Sequence, residues 1–168
     1  MISIAIGASC SRRPRFVLMP ALVLVLSIVT FPQEQSGERA ALSVLGTWTG
    51  TSTCVGNHPA CKNEEVVYRF LEIANRPRVV NLLADKIIAG KRVPMGALEF
   101  TVAEDGKTLT CEFTRGHTHG IWEYTVSGDQ MTGTLVILPE KELGRRVSVH
   151  RVAEDKLPKA PSLDDYGT

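Results

Sequence analysis

Turn-forming residues interrupt this chain so often from Val44 onward that a long helix has no room to form. Asp105-Gly106 and Gly128-Asp129 are two-residue hairpin signals, in which the glycine supplies the positive φ that a tight antiparallel turn needs. Asn75-Arg76-Pro77, Gly116 and the stretch Pro139–Gly144 mark further turns. The runs between them are short and rich in Val, Ile, Thr and aromatic residues, which reads as strands: Val44–Cys54, Glu65–Ile73, Arg78–Ala84, Ala97–Ala103, Lys107–Arg115, Thr118–Ser127, Gln130–Leu138 and Arg145–Val152. Arg78–Ala84 is apolar on both faces, so it is either buried on two sides or partly helical. Asp85–Gly96 mixes one apolar pair with turn chemistry and reads as a strand end, a Gly90-centred turn and a connection.

An all-β chain of about eight strands joined by hairpins is expected to pair each strand with the next. The resulting antiparallel meander removes its exposed edges by closing into a barrel. A sandwich is the structural alternative. The barrel domain is expected to span residues 43–152, followed by a charged, Pro-containing flexible tail at 153–168.

The N-terminal region has a different character. Arg12-Arg13-Pro14-Arg15 precedes an apolar run from Phe16 to Phe31 that contains Pro20 and is shorter than the roughly 20 residues a membrane helix needs. This pattern reads as a signal peptide over 1–30, with an uncleaved anchor as the alternative, and a polar linker over 31–42. The expected localisation is therefore exported, periplasmic or secreted, with no stable membrane span after cleavage. The formal charge of +1 comes from the leader: without its three arginines, 16 basic residues face 18 acidic ones, a net charge of −2. No basic field remains to attract a phosphate backbone, which argues against nucleic acid as a partner. Cys54 and Cys61 bracket a loop dense in turn formers and are placed to form a disulfide in an oxidising compartment. Cys111 is left over in an alternating run and reads as a buried, inert thiol.

Val44-Leu45-Gly46-Thr47-Trp48-Thr49-Gly50 resembles the Gly-x-Trp first strand of the calycins, the superfamily of lipocalins, fatty-acid-binding proteins and related small barrels. The resemblance implies that Trp48 closes the barrel floor and that an arginine of the last strand covers it. Arg145, Arg146 and Arg151 lie in that part of the chain, with Arg146 or Arg151 favoured, and a guanidinium over an indole face is a cation–π contact. Residues 43–152 also resemble small exported bacterial proteins with a Gly-Thr-Trp start, an Asp-Lys pair (Asp85-Lys86) and a Thr-Gly-Thr-Leu strand (Thr132–Leu135). The chain departs from true lipocalins in lacking an evident C-terminal helix and their middle-strand signature.

Three functions are compatible with these features. Trp48, Tyr68, Phe70, Phe100, Phe113, Trp122 and Tyr124 fall on strands, and those that face inward either line a pocket for a small apolar ligand or fill the barrel as core. A filled barrel would point instead to an envelope module that binds a protein partner through its outer surface. His117 and His119, two apart on a hairpin, could approach one metal ion with Glu112 or Glu123, or ligate haem. No cofactor is otherwise implied. Nor does the sequence hold a Gly-x-Ser-x-Gly motif or a nucleotide-binding glycine loop, so a catalytic role is not indicated.

Overall fold

The computed structural model describes residues 43–56 and 60–166. The leader (1–30) and linker (31–42) read from the sequence lie outside the described residues, as do Asn57, His58 and Pro59. Eight strands follow in chain order: β1 (Gly46–Cys54), β2 (Glu64–Glu72), β3 (Val79–Ile88), β4 (Lys91–Val102), β5 (Thr108–Arg115), β6 (Thr118–Ser127), β7 (Gln130–Leu138) and β8 (Glu142–Val152). Each pairs antiparallel with its successor, and β8 returns to β1, so the meander closes into a barrel.

The period-2 alternation of the strands sorts side chains between the interior and the outer wall. On β8, Arg145, Val147, Val149 and Arg151 share the inward face, while Arg146, Ser148 and His150 face out. The interior is filled by Trp48, Phe70, Phe100, Leu109, Tyr124 and Met131, each all but fully buried. Burying one such side chain stabilises the fold by about 1.5–3 kcal/mol relative to leaving it in water. The rings of Phe70 and Phe100 meet edge to face with centroids 6.0 Å apart, the arrangement their quadrupoles favour.

The stretch Asp85–Gly96 is the main departure from the sequence reading. It is strand on both sides of a two-residue turn, Ala89-Gly90, in which both residues have positive φ (48° and 73°). Pro94 and Gly96 disguised the first half of β4, whose second half falls in the expected strand Ala97–Ala103. Both residues are tolerated because the β3–β4 register shifts between Ala84 and Asp85, leaving Met95 without a direct partner. Arg78–Ala84 is strand and not helix, and its two apolar faces have separate reasons. Val80 and Leu82 enter the core, whereas Leu83 and Asp85 point outward and are nonetheless buried.

They lie beneath the segment that follows β8. Short 3-10 turns at Glu154–Lys156 and Leu163–Tyr166 bring this segment back over the outer wall of β2, β3 and β4. Tyr166 is 5% exposed and donates its hydroxyl hydrogen to Asp85 Oδ1, while Arg69 Nη2 donates to the same phenol oxygen at 2.7 Å. Asp85 also accepts from Arg92 Nε at 2.7 Å, and Arg92 in turn pairs with Glu154. The 153–168 stretch, expected to fray, thus makes specific contacts as far as Tyr166.

Among the described residues, no helix is long and apolar enough to cross a membrane.

Candidate functional site: a partly open cup in the barrel wall

The two ends of the barrel interior are built differently. At the floor, Trp48 is fully buried and donates from its indole nitrogen to Val44 O at 2.9 Å. The Arg151 guanidinium lies 4.2 Å from the Trp48 ring centroid and donates to Leu45 O (2.6 Å) and to Ser43 O. Register decides between the two arginines favoured from sequence. Trp48 stands opposite Arg151, whereas Arg146 stands opposite Thr53 on the outer wall and takes no part in closing the floor.

Arg145, on the inward face like Arg151 but six residues earlier, serves the other end. Its Nε donates to Ser52 Oγ at 2.8 Å, and its Nη2 donates to Glu64 Oε2 (2.9 Å), Lys62 O (2.9 Å) and Ser52 O (3.1 Å). Lys86 Nζ lies 3.6 Å from the other Glu64 oxygen. Arg145 Nη1 also reaches Cys61 Sγ at 3.4 Å, and Cys61 is disulfide-bonded to Cys54 as the spacing suggested.

Between these ends lies a cavity of about 210 Å³. Its walls are Tyr68, Leu82, Ala84, Met95, Leu98, Phe113, Trp122 and Tyr124, with Arg115 and the Arg145–Glu64 pair at its rim. The space is below the roughly 300–1,000 Å³ of typical small-molecule sites. The seven aromatic residues singled out from sequence therefore divide. Trp48, Phe70 and Phe100 are sealed core, while Tyr68, Phe113, Trp122 and Tyr124 reach the cavity. Trp122 stacks on Tyr124 with ring planes 6° apart and centroids at 5.6 Å.

The two phenols in the cavity are not poised for acid–base work. Burial pushes the Tyr124 phenol well above its ordinary pKa, and its hydrogen bond to the Tyr68 hydroxyl adds to this. Burial likewise raises Tyr68, partly offset by hydrogen bonds from Tyr124 and Ser52. Both phenols are neutral at physiological pH and offer a hydroxyl only. Cys111 is buried and free, and burial together with the charge of Glu99 raises its thiol, which suppresses the nucleophilic thiolate.

The cavity touches a break in the barrel wall. Every other neighbouring pair of strands shares at least seven register pairs. β4 and β5 share two, Thr101↔Thr110 and Val102↔Leu109, and then diverge. The residues on either side of the break, Met95 to Leu98 on β4 and Phe113 and Arg115 on β5, are cavity-lining residues.

The two histidines sit away from the cavity. His117 occupies the exposed β5–β6 turn, and His119 Nε2 is hydrogen-bonded to Glu112 Oε1 at 2.7 Å on the outer wall. Among the described residues, no group of three or more His, Cys, Asp or Glu side chains could hold a metal ion. Sequence reasoning did not single out Ser52, Glu64, Met95, Leu98 or Arg115. Strand parity carries the available signal, since Arg115 shares a face with Phe113 and Arg145 with Val147.

Comparison with protein-family models, with curated proteins and with solved structures found no match.

Proposed function

We propose that this chain is an exported binding protein whose barrel takes one small, mostly apolar molecule in the cup between Leu98, Phe113 and Trp122, without catalysing a reaction on it. The observation that carries this reading is the half-buried state of those three side chains, which with Ala84 and Met95 leave one side of an otherwise tightly packed core open to the cavity. Covering apolar surface that is left partly exposed at a break in the wall is favourable. The cavity holds the volume of about seven water molecules, at about 30 Å³ each, which limits the ligand to a small ring system or a short chain. Export is supported by the Arg-flanked apolar leader and by the Cys54–Cys61 disulfide, which persists in oxidising compartments. The calycin resemblance of the Gly46-x-Trp48 strand is supported by the barrel topology and by the Arg151 guanidinium over the indole.

Titration with the neutral fluorophore N-phenyl-1-naphthylamine tests the reading. A saturable rise in probe emission is expected from the wild-type chain. Leu98→Trp should fill the cup and abolish that rise, at a stability cost of about 1–3 kcal/mol for overpacking. A flat wild-type titration would favour the alternative, an envelope module acting through its outer wall. That alternative draws on the solid packing of the barrel's lower half.

A further inference from the structure

The cup has two ways out, and they differ in chemistry. Towards the open end of the barrel it is roofed by charge. Arg145, Glu64 and Lys86 point inward from β8, β2 and β3, both cations pair with Glu64, and Arg145 is further tied to Ser52 and Lys62 O. An apolar molecule arriving from that end would have to break charge-assisted hydrogen bonds and strip water from ions, with nothing apolar to replace them.

Towards the side the cup meets the β4–β5 break, where no ladder has to be broken. Ala103 N donates to Thr108 O, so alternate residues of each strand turn their backbone groups toward the other. Had the register of Thr101↔Thr110 continued, Glu99 would have faced Glu112, and Leu98 would have faced Phe113. Two carboxylates directly opposite repel, and each is instead engaged on its own strand's far side, Glu99 by Arg76 and Glu112 by His119. Leu98 and Phe113 wedge the inner face apart. Both are apolar and half-buried, so the break has an apolar lip.

One side chain spans the break. Arg115 Nη1 donates to Met95 O at 3.0 Å, and its guanidinium lies against Gly96, where a Cβ would come within 3.0 Å of Nη1. Arg115 is exposed, and no carboxylate pairs with it among the described residues. A single hydrogen bond from an exposed side chain to a backbone carbonyl is a weak tie that opens and closes on the timescale of side-chain motion.

We infer that the ligand reaches the cup sideways, through the break between β4 and β5, and that Arg115 is the latch across this opening. The inference rests on the pocket reading above and adds the route and the residue that controls it. Gating of this kind acts on rates more than on affinity, because the latch is displaced on the way in and on the way out.

Stopped-flow mixing with N-phenyl-1-naphthylamine provides the test. Arg115→Ala should raise the association and dissociation rates together, by about threefold or more. Glu99→Cys/Glu112→Cys, joined by a short bifunctional thiol reagent, pins the strands across the break at two residues that do not line the cup. The joined protein should bind at least about tenfold more slowly than the same variant left unjoined. Equal rates for the joined and unjoined protein would overturn the lateral route and leave the pocket standing. Absence of probe binding by the wild-type chain would overturn the pocket and the route together.

Discussion

Single residues in this barrel are legible once their neighbours are known, and Gly133 shows why. In the sequence it is the glycine of Thr132-Gly133-Thr134-Leu135, with no evident reason to interrupt a strand. In the structure it stands opposite Tyr124, and a Cβ built there would lie 2.2 Å from Tyr124 Cδ1. The absent side chain is the seat of the ring that carries the cup floor, stacks on Trp122 and touches Phe100. Gly133→Ala should therefore displace Tyr124 and lower unfolding stability by about 2–3 kcal/mol, as overpacking of a closed core does. Urea denaturation gives the stability, and the near-ultraviolet circular dichroism of the Trp122–Tyr124 pair should change with it. Unchanged stability would mean that the ring has room to move. The same logic separates the arginines of β8. Charge alone does not distinguish Arg145, Arg146 and Arg151, and parity assigns the first and third to the interior and the second to the outer wall.

At the scale of elements, the hairpins were readable because each rests on local turn chemistry, whereas the elements that depend on distant partners were not. Asp105 shows the local kind. Its carboxylate accepts from the amides of Lys107 and Thr108, which holds its pKa below the ordinary value, and nothing outside the turn is needed. The first half of β4 was hidden because Pro94 and Gly96 are unfavourable in a strand until a register shift accommodates them. The segment after β8 was hidden because its composition is that of a loose end. What anchors it is Asp85, buried on an outward face some 80 residues earlier in the chain. The four cavity-lining aromatics could not be told from the three core ones for the same reason: depth along the barrel is set by register, not by residue type.

The docking of this segment has a pH signature. Burial, and the hydrogen bond donated to Asp85, push the Tyr166 phenol up from 10.0 to about 12. The folded state thus holds this proton more tightly than the unfolded chain. The associated stability is fully present below about pH 10 and is lost as the pH climbs toward about 12. Tyr166→Phe removes the donor and leaves a buried Asp85 oxygen short of a partner, at a cost of about 1–3 kcal/mol at neutral pH. The difference in unfolding free energy between wild type and variant should shrink as pH rises through that window. A difference that stays constant across the window would mean that the phenol makes no pH-sensitive contribution.

On the scale of the whole molecule, closure leaves the barrel with two ends and one flaw in its wall, and β8 governs both ends. Arg151 ties the floor to the chain entering β1, and Arg145 ties the open end to the loop between β1 and β2. That loop is also held by the Cys54–Cys61 disulfide and by Cys54 N donating to Asn63 Oδ1 at 2.9 Å. A bridge between cysteines seven residues apart removes little chain entropy from the unfolded state, about 2–3 kcal/mol. Cys54→Ser/Cys61→Ser should therefore lower the unfolding free energy by about that amount without unfolding the barrel, whose ladders do not depend on the loop. Its second consequence follows from Arg145, which loses the fixed position of Lys62 O and the Cys61 sulfur. The charged roof over the cup should then loosen, and amides of residues 61–64 should exchange with solvent faster than in the wild type. If the two serines leave both stability and exchange unchanged, Asn63 and Arg145 alone hold the loop, and the roof is a property of the side chains and not of the covalent bridge.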